Sequence, residues 1–190
     1  MSIAINLAIF LITAAIMLRV FRKDGRWNPE NGKAAFRFFT VQSNVFCALS
    51  ALLLCIFPGS RAVWLAKYAG TAAVSVTMLT VLFHLGPLYG YKKLLSGNDL
   101  FMHLITPILA LVSFCAFEKR GLAFPEALLG LAPVALYGAL YIYRVIFCRS
   151  DKAWEDFYGF NQTGKYYISA AVMLAGTFLI CLGLMGLQNL

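Results

Sequence analysis

Charge is what this sequence has least of. Only 13% of its 190 residues are charged, acidic residues number 8, and histidine occurs twice. A soluble domain carries about 25% charged residues, so the chain lacks the polar surface to coat a water-facing globule. No stretch between apolar runs exceeds roughly 20 residues, which leaves no room for a separate soluble domain. Low-complexity tracts and internal repeats are absent, and strand signals are weak throughout. The five cysteines, Cys47, Cys55, Cys115, Cys148 and Cys181, are odd in number and unpaired in spacing. They are expected to be buried apolar thiols, with no disulfide framework and no metal site.

What the chain has in abundance is apolar sequence: 61% hydrophobic residues and a mean hydropathy of +0.77. Six apolar segments stand out, at 3–18, 38–57, 63–88, 100–117, 127–147 and 166–187. A helix needs roughly 20 residues to cross the hydrocarbon core, so residues 1–190 are expected to form a single all-α domain, a polytopic six-helix transmembrane bundle. The first segment is the shortest, reaching only about 24 Å at 1.5 Å per residue. It has no basic residue before it and Arg19, Arg22 and Lys23 after it, the reverse of a signal peptide, and is expected to be a retained anchor.

The basic residues assign the sides. The first loop region holds Arg19, Arg22, Lys23, Arg26, Lys33 and Arg37, the second Arg61 and Lys67, the third Lys92 and Lys93, the fourth Lys119 and Arg120, and the fifth Arg144, Arg149, Lys152 and Lys165. Odd loops dominate, so the positive-inside rule predicts a multi-pass protein of the cell membrane with both termini outside. The net charge of +8 is then a topology signal. It calls for no nucleic acid, and the partners expected are membrane lipids.

Against this background the polar residues inside spans carry the information. The second span opens Phe39-Thr40-Val41-Gln42-Ser43-Asn44, and Thr40, Ser43 and Asn44 share a helical face while Gln42 points elsewhere. In the fourth, Asp99, His103, Thr106, Ala110 and Ser113 recur at helical spacing. Both spans enter from the same side, which places Thr40 and His103 at nearly one depth. Span three adds Thr77, Thr80 and His84 near that side, span five Tyr137, Tyr141 and Arg144, and span six starts behind Asn161; the opposite helix ends are comparatively bare. Buried Ser and Thr usually bond back to their own helix, tyrosines usually form interfacial belts, and Asp99 suits a helix cap. His84 sits beside Gly86-Pro87, where its ring has freed carbonyls to satisfy. An intramembrane histidine is costly and generally faces a cavity or a partner, so His103 is the stronger functional candidate.

Thr40 and His103 together suit acyl transfer. A threonine hydroxyl becomes a nucleophile once a base takes its proton, and neutral imidazole is such a base. Asn44 or Asn161 are candidate oxyanion donors, Asp99 a candidate orienter of the ring, and Ser43 the fallback nucleophile. The segment at residues 39–44, His103 with Pro107, and Trp154-Glu155-Asp156-Phe157-Tyr158-Gly159-Phe160-Asn161 resemble bacterial six-span membrane proteins related to the androgen-induced-gene family. Its animal members hydrolyse fatty acid esters of hydroxy fatty acids. The resemblance implies Thr40 as nucleophile and His103 as base; a substrate that must reach the membrane interior favours a lipid ester, and no metal or cofactor is expected. Two rival classes remain: a haem protein using His84 and His103, and a lipid or small-molecule transporter with a discontinuous helix at Gly86-Pro87.

Overall fold

The computed structural model describes residues 1–23, 25–149 and 152–190. Among them, six helices are long and apolar enough to cross a membrane: span 1 (Ser2–Val20), span 2 (Phe39–Ile56), span 3 (Arg61–Tyr89), span 4 (Gly97–Phe117), span 5 (Phe124–Phe147) and span 6 (Tyr166–Asn189). The fold is a six-helix bundle of a multi-pass membrane protein. Both termini lie at one end, since Ser2 bonds Glu118 and Gln188 bonds the N–H of Arg120, both beyond the end of span 4. The opposite end carries most of the basic residues and is called the basic end below. A two-residue hairpin, Arg22–Lys23 with Arg26–Trp27, and a short helix, Pro29–Ala35, cover part of it.

Span 3 is the hub, packing on spans 2, 4, 5 and 6. Small residues make that possible, because helices in lipid gain from close backbone approach. Ala69, Gly70, Ala72 and Ala73 are all buried, and a Cβ at Gly70 would fall 2.9 Å from the Cα of Cys47.

Proline shapes spans 3 and 4 through a shared device. Each contains a wide π turn, Val81–Leu85 and Phe101–Ile105, in which the N–H of Gly86 bonds Val81 O and that of Thr106 bonds Phe101 O. The next donors in this register would be Pro87 and Pro107, which have no N–H. Side chains supply the missing bonds: Tyr91 Oη donates to Leu82 O at 2.8 Å, and Asn44 Nδ2 to Met102 O at 2.9 Å. Tyr91 folds back only because residue 86 is glycine; a Cβ there would lie 2.2 Å from its ring. His84 therefore does not satisfy the carbonyl freed by Pro87.

The bare helix ends expected away from the basic end are not found. Lys67, which the loop count treats as a loop residue, is fully buried within span 3, with its Nζ 3.8 Å from Glu118 Oε2. Glu118 Oε1 accepts from Ser2 (2.8 Å), Asn6 (2.6 Å) and Ser113 (2.7 Å), and its backbone carbonyl accepts the Trp64 indole N–H at 2.8 Å. This cluster ties spans 1, 3 and 4 together.

Candidate functional site

Thr40 is the second residue of span 2 and half-buried; His103 lies in the π turn of span 4 and is buried. The structure brings them together, with Thr40 Oγ1 3.3 Å from His103 Nε2. The other ring nitrogen, Nδ1, lies 2.7 Å from the carbonyl of Leu94, in the short helix Tyr91–Leu94 that follows span 3. A carbonyl can only accept, so in the neutral ring Nδ1 carries the hydrogen and Nε2 turns its lone pair to the Thr40 hydroxyl. That is the tautomer a general base needs.

The Thr40 hydroxyl meets His103 and not a carbonyl of its own helix. Several buried hydroxyls return to their own helix, as Thr71, Ser75 and Thr77 do to the carbonyls four residues back. The equivalent acceptor for Thr40 is Phe36 O, which receives Gln42 Nε2 at 2.7 Å.

Several expected roles change. Asp99 is exposed and reaches neither ring nitrogen of His103, so the orienter is a backbone carbonyl. Asp99 lies before the π turn and is exposed, although it lines the same cavity, whereas His103, Thr106, Ala110 and Ser113 are buried. Asn44 is buried with its amide donors committed to Thr40 O (2.8 Å) and Met102 O (2.9 Å). It offers no hydrogen to an oxyanion and instead staples the backbones that carry Thr40 and His103. Asn161 is held by Asp156, which accepts its backbone N–H at 2.7 Å, and does not line the Thr40 cavity. Ser43 turns away from His103, bonding Thr40 O (3.2 Å) and Thr77 Oγ1 (2.9 Å). His84 Nε2 faces Tyr158 O at 3.2 Å and lines a different cavity from His103, so the two rings share no space for a porphyrin.

The cavity holding Thr40 and His103 measures about 590 Å³ at the basic end. Its walls are mainly apolar, including Ile16, Val20, Phe38, Val41, Leu85 and Met102, with Lys93, Asn98 and Asp99 also in the lining. On its other side Thr40 borders a constriction of about 20 Å³, whose lining residues Val76, Thr80, Phe160 and Met173 also line the cavity of about 460 Å³ that contains His84.

Sequence reasoning missed Tyr158, which is buried in the core and not part of an interfacial belt. Its hydroxyl accepts the N–H of Phe39, the residue before Thr40, at 2.9 Å, and Tyr158 lines the Thr40 cavity. Burial pushes the phenol above its ordinary range, so it stays protonated. Its loop is clasped from below. Tyr158 N–H donates to Tyr141 Oη (3.0 Å), Tyr141 Oη–H donates to Asp156 Oδ1 (2.8 Å), and Asp156 also accepts from Phe160 N (2.8 Å). The signal was present in the motif from Trp154 to Asn161, but nothing in its spacing tells which member reaches Thr40.

Compared with protein-family models, curated proteins and solved structures, the chain matches none.

Proposed function

We propose that the protein is an integral membrane hydrolase of lipid esters in which Thr40 is the nucleophile and His103 the base. The observation that carries this reading is the Thr40 Oγ1 to His103 Nε2 contact of 3.3 Å, with the ring's tautomer fixed by Leu94, at the wall of a largely apolar cavity. The resemblance in the motifs around Thr40, His103 and Trp154 supports the same assignment. Water-soluble esters have little reason to enter such walls, whereas an acyl chain is matched to them.

The chemistry balances without a cofactor. Thr40 Oγ adds to the ester carbonyl as its proton passes to His103 Nε2, and the carbonyl π pair moves onto oxygen. Collapse re-forms the carbonyl, breaks the bond to the alkoxy group, and returns the His103 proton to the leaving alcohol. Water then adds to the acyl-threonine, its proton going to His103. The second collapse frees the fatty acid and restores the Thr40 hydroxyl. With basic loops on the cytoplasmic side of the cell membrane, both termini lie outside and the site opens to the inner leaflet.

Purified protein in lipid nanodiscs, given long-chain p-nitrophenyl esters, should release nitrophenol. Thr40→Val and His103→Ala should be inactive and Ser43→Ala active. Turnover by Thr40→Val equal to wild type would overturn the assignment, and no turnover of any ester, with lipid flux in proteoliposomes, would favour transport.

A further inference from the structure

Proton removal by His103 leaves one requirement of ester cleavage unmet, since negative charge arrives on the carbonyl oxygen and must be held there. The amide donors of Asn44 are committed to carbonyls, and Asn161 does not line the cavity. Asn98 lines it, but its side chain is tethered to Arg19 (3.3 Å) at the exposed surface, where water competes for its amide, and Lys93 is exposed too. Tyr158 lines it too, with its hydroxyl held at the Phe39 N–H (2.9 Å), one residue before Thr40.

We propose that Tyr158 is a catalytic residue of this site, donating its O–H to the oxyanion formed when Thr40 adds to an ester carbonyl. The inference rests on the hydrolase reading above. Its geometry is prepared in three ways. The phenol oxygen accepts the Phe39 N–H at the start of the 18-residue span 2 helix, and a hydroxyl that accepts a strong hydrogen bond donates a stronger one. The positive end of the helix dipole lies at the same place and favours negative charge nearby. The Tyr141 and Asp156 clasp fixes the loop before substrate arrives, so no reorganisation is needed as charge develops. Tyr158 keeps its proton throughout: the O–H shortens its hydrogen bond to the oxyanion and relaxes when the carbonyl re-forms, while His103 carries the proton that moves.

The test compares wild type, Tyr158→Phe and a protein with 3,5-difluorotyrosine at 158, all in nanodiscs. Long-chain p-nitrophenyl ester serves as substrate, and a lipid trifluoromethyl ketone and the matching ether lipid as ligands. Loss of one oxyanion donor lowers kcat by roughly 10²- to 10³-fold. Tyr158→Phe should show that loss with KM nearly unchanged, and should bind the ketone, which forms an oxyanion on Thr40, about 100-fold more weakly. Affinity for the ether should stay the same. Difluorotyrosine keeps the shape but ionises at lower pH, so its kcat should fall on the alkaline side where wild type holds, because a phenolate cannot donate. Wild-type kcat in Tyr158→Phe would overturn the proposal and leave the hydrolase reading standing. Equal weakening of ketone and ether, with no alkaline limb in the fluorinated protein, would make Tyr158 a structural residue and also overturn it. A wild type that hydrolyses no ester would remove both.

Discussion

The bundle buries a polar cluster at each end, and the two differ in what they leave open. At the terminal end Glu118 Oε1 takes three donors and Lys67 lies 3.8 Å from the other oxygen. Neither Lys67 nor Glu118 lines the cavities described above. At the basic end the Thr40 hydroxyl meets an imidazole nitrogen and a cavity of about 590 Å³. Burial of polar groups is thus common to both. Groups bonded mainly to one another hold helices in register, whereas a hydroxyl with a base on one side and space on the other has the arrangement that attack on a carbonyl requires.

The comparison can be broken by moving function away from the open cluster or stability away from the closed one. The largest effect is expected in the open cluster. Thr40→Val and His103→Ala should each lower ester turnover by at least about 10³-fold, with thermal unfolding in detergent little changed.

The closed cluster should behave oppositely. Lys67→Met strands the Glu118 carboxylate and should cost about 3–5 kcal/mol in denaturant unfolding, with turnover per folded molecule preserved. Combining it with Glu118→Leu should recover much of that loss, because a well-packed apolar pair replaces a buried ionic one. Inactivity of folded Lys67→Met would break the division of labour.

Asn44→Ala tests the link between structure and chemistry. It leaves Met102 O without its side-chain donor and unties that carbonyl from Thr40 O, so it should cost about 1–3 kcal/mol and lower kcat by about 10- to 100-fold through misplacement of Thr40 against His103. The smallest effects belong to Asp99→Asn and Ser43→Ala, each expected to leave kcat within about threefold, since neither residue touches a ring nitrogen of His103. A large loss in Asp99→Asn would restore it as the orienter.

These residues also show how far the sequence can be read. Six spans are legible because long charge-poor stretches have few other homes, and the helix ends fall within a few residues of the expected ones. The meeting of Thr40 and His103 is legible because a histidine inside a span needs a partner. The supporting parts are not. Helical spacing assumes 3.6 residues per turn, so the π turn at Phe101–Ile105 cannot be read from it, and neither can the exposure of Asp99 beside a buried His103. The acceptor that fixes the tautomer is the main chain of Leu94, to which any side chain would have been silent. Asn44 looks like a free donor until Pro107 is seen to have removed the hydrogen bond that Asn44 replaces. Lys67 reads as a loop charge because its counterion, Glu118, lies 51 positions later in the chain and becomes its neighbour only when spans 3 and 4 pack.

The central claim is that the Thr40 hydroxyl is activated for attack by His103, and covalent capture tests it most directly. Purified protein is treated with an alkyl fluorophosphonate, which loses fluoride as the nucleophile's oxygen bonds phosphorus, then digested and mapped by tandem mass spectrometry. The expected result is one adduct per chain on Thr40, absent from Thr40→Val and at least about 10²-fold slower to form in His103→Ala. An adduct on Ser43 or any other residue, or labelling of Thr40 at an undiminished rate without His103, would contradict it.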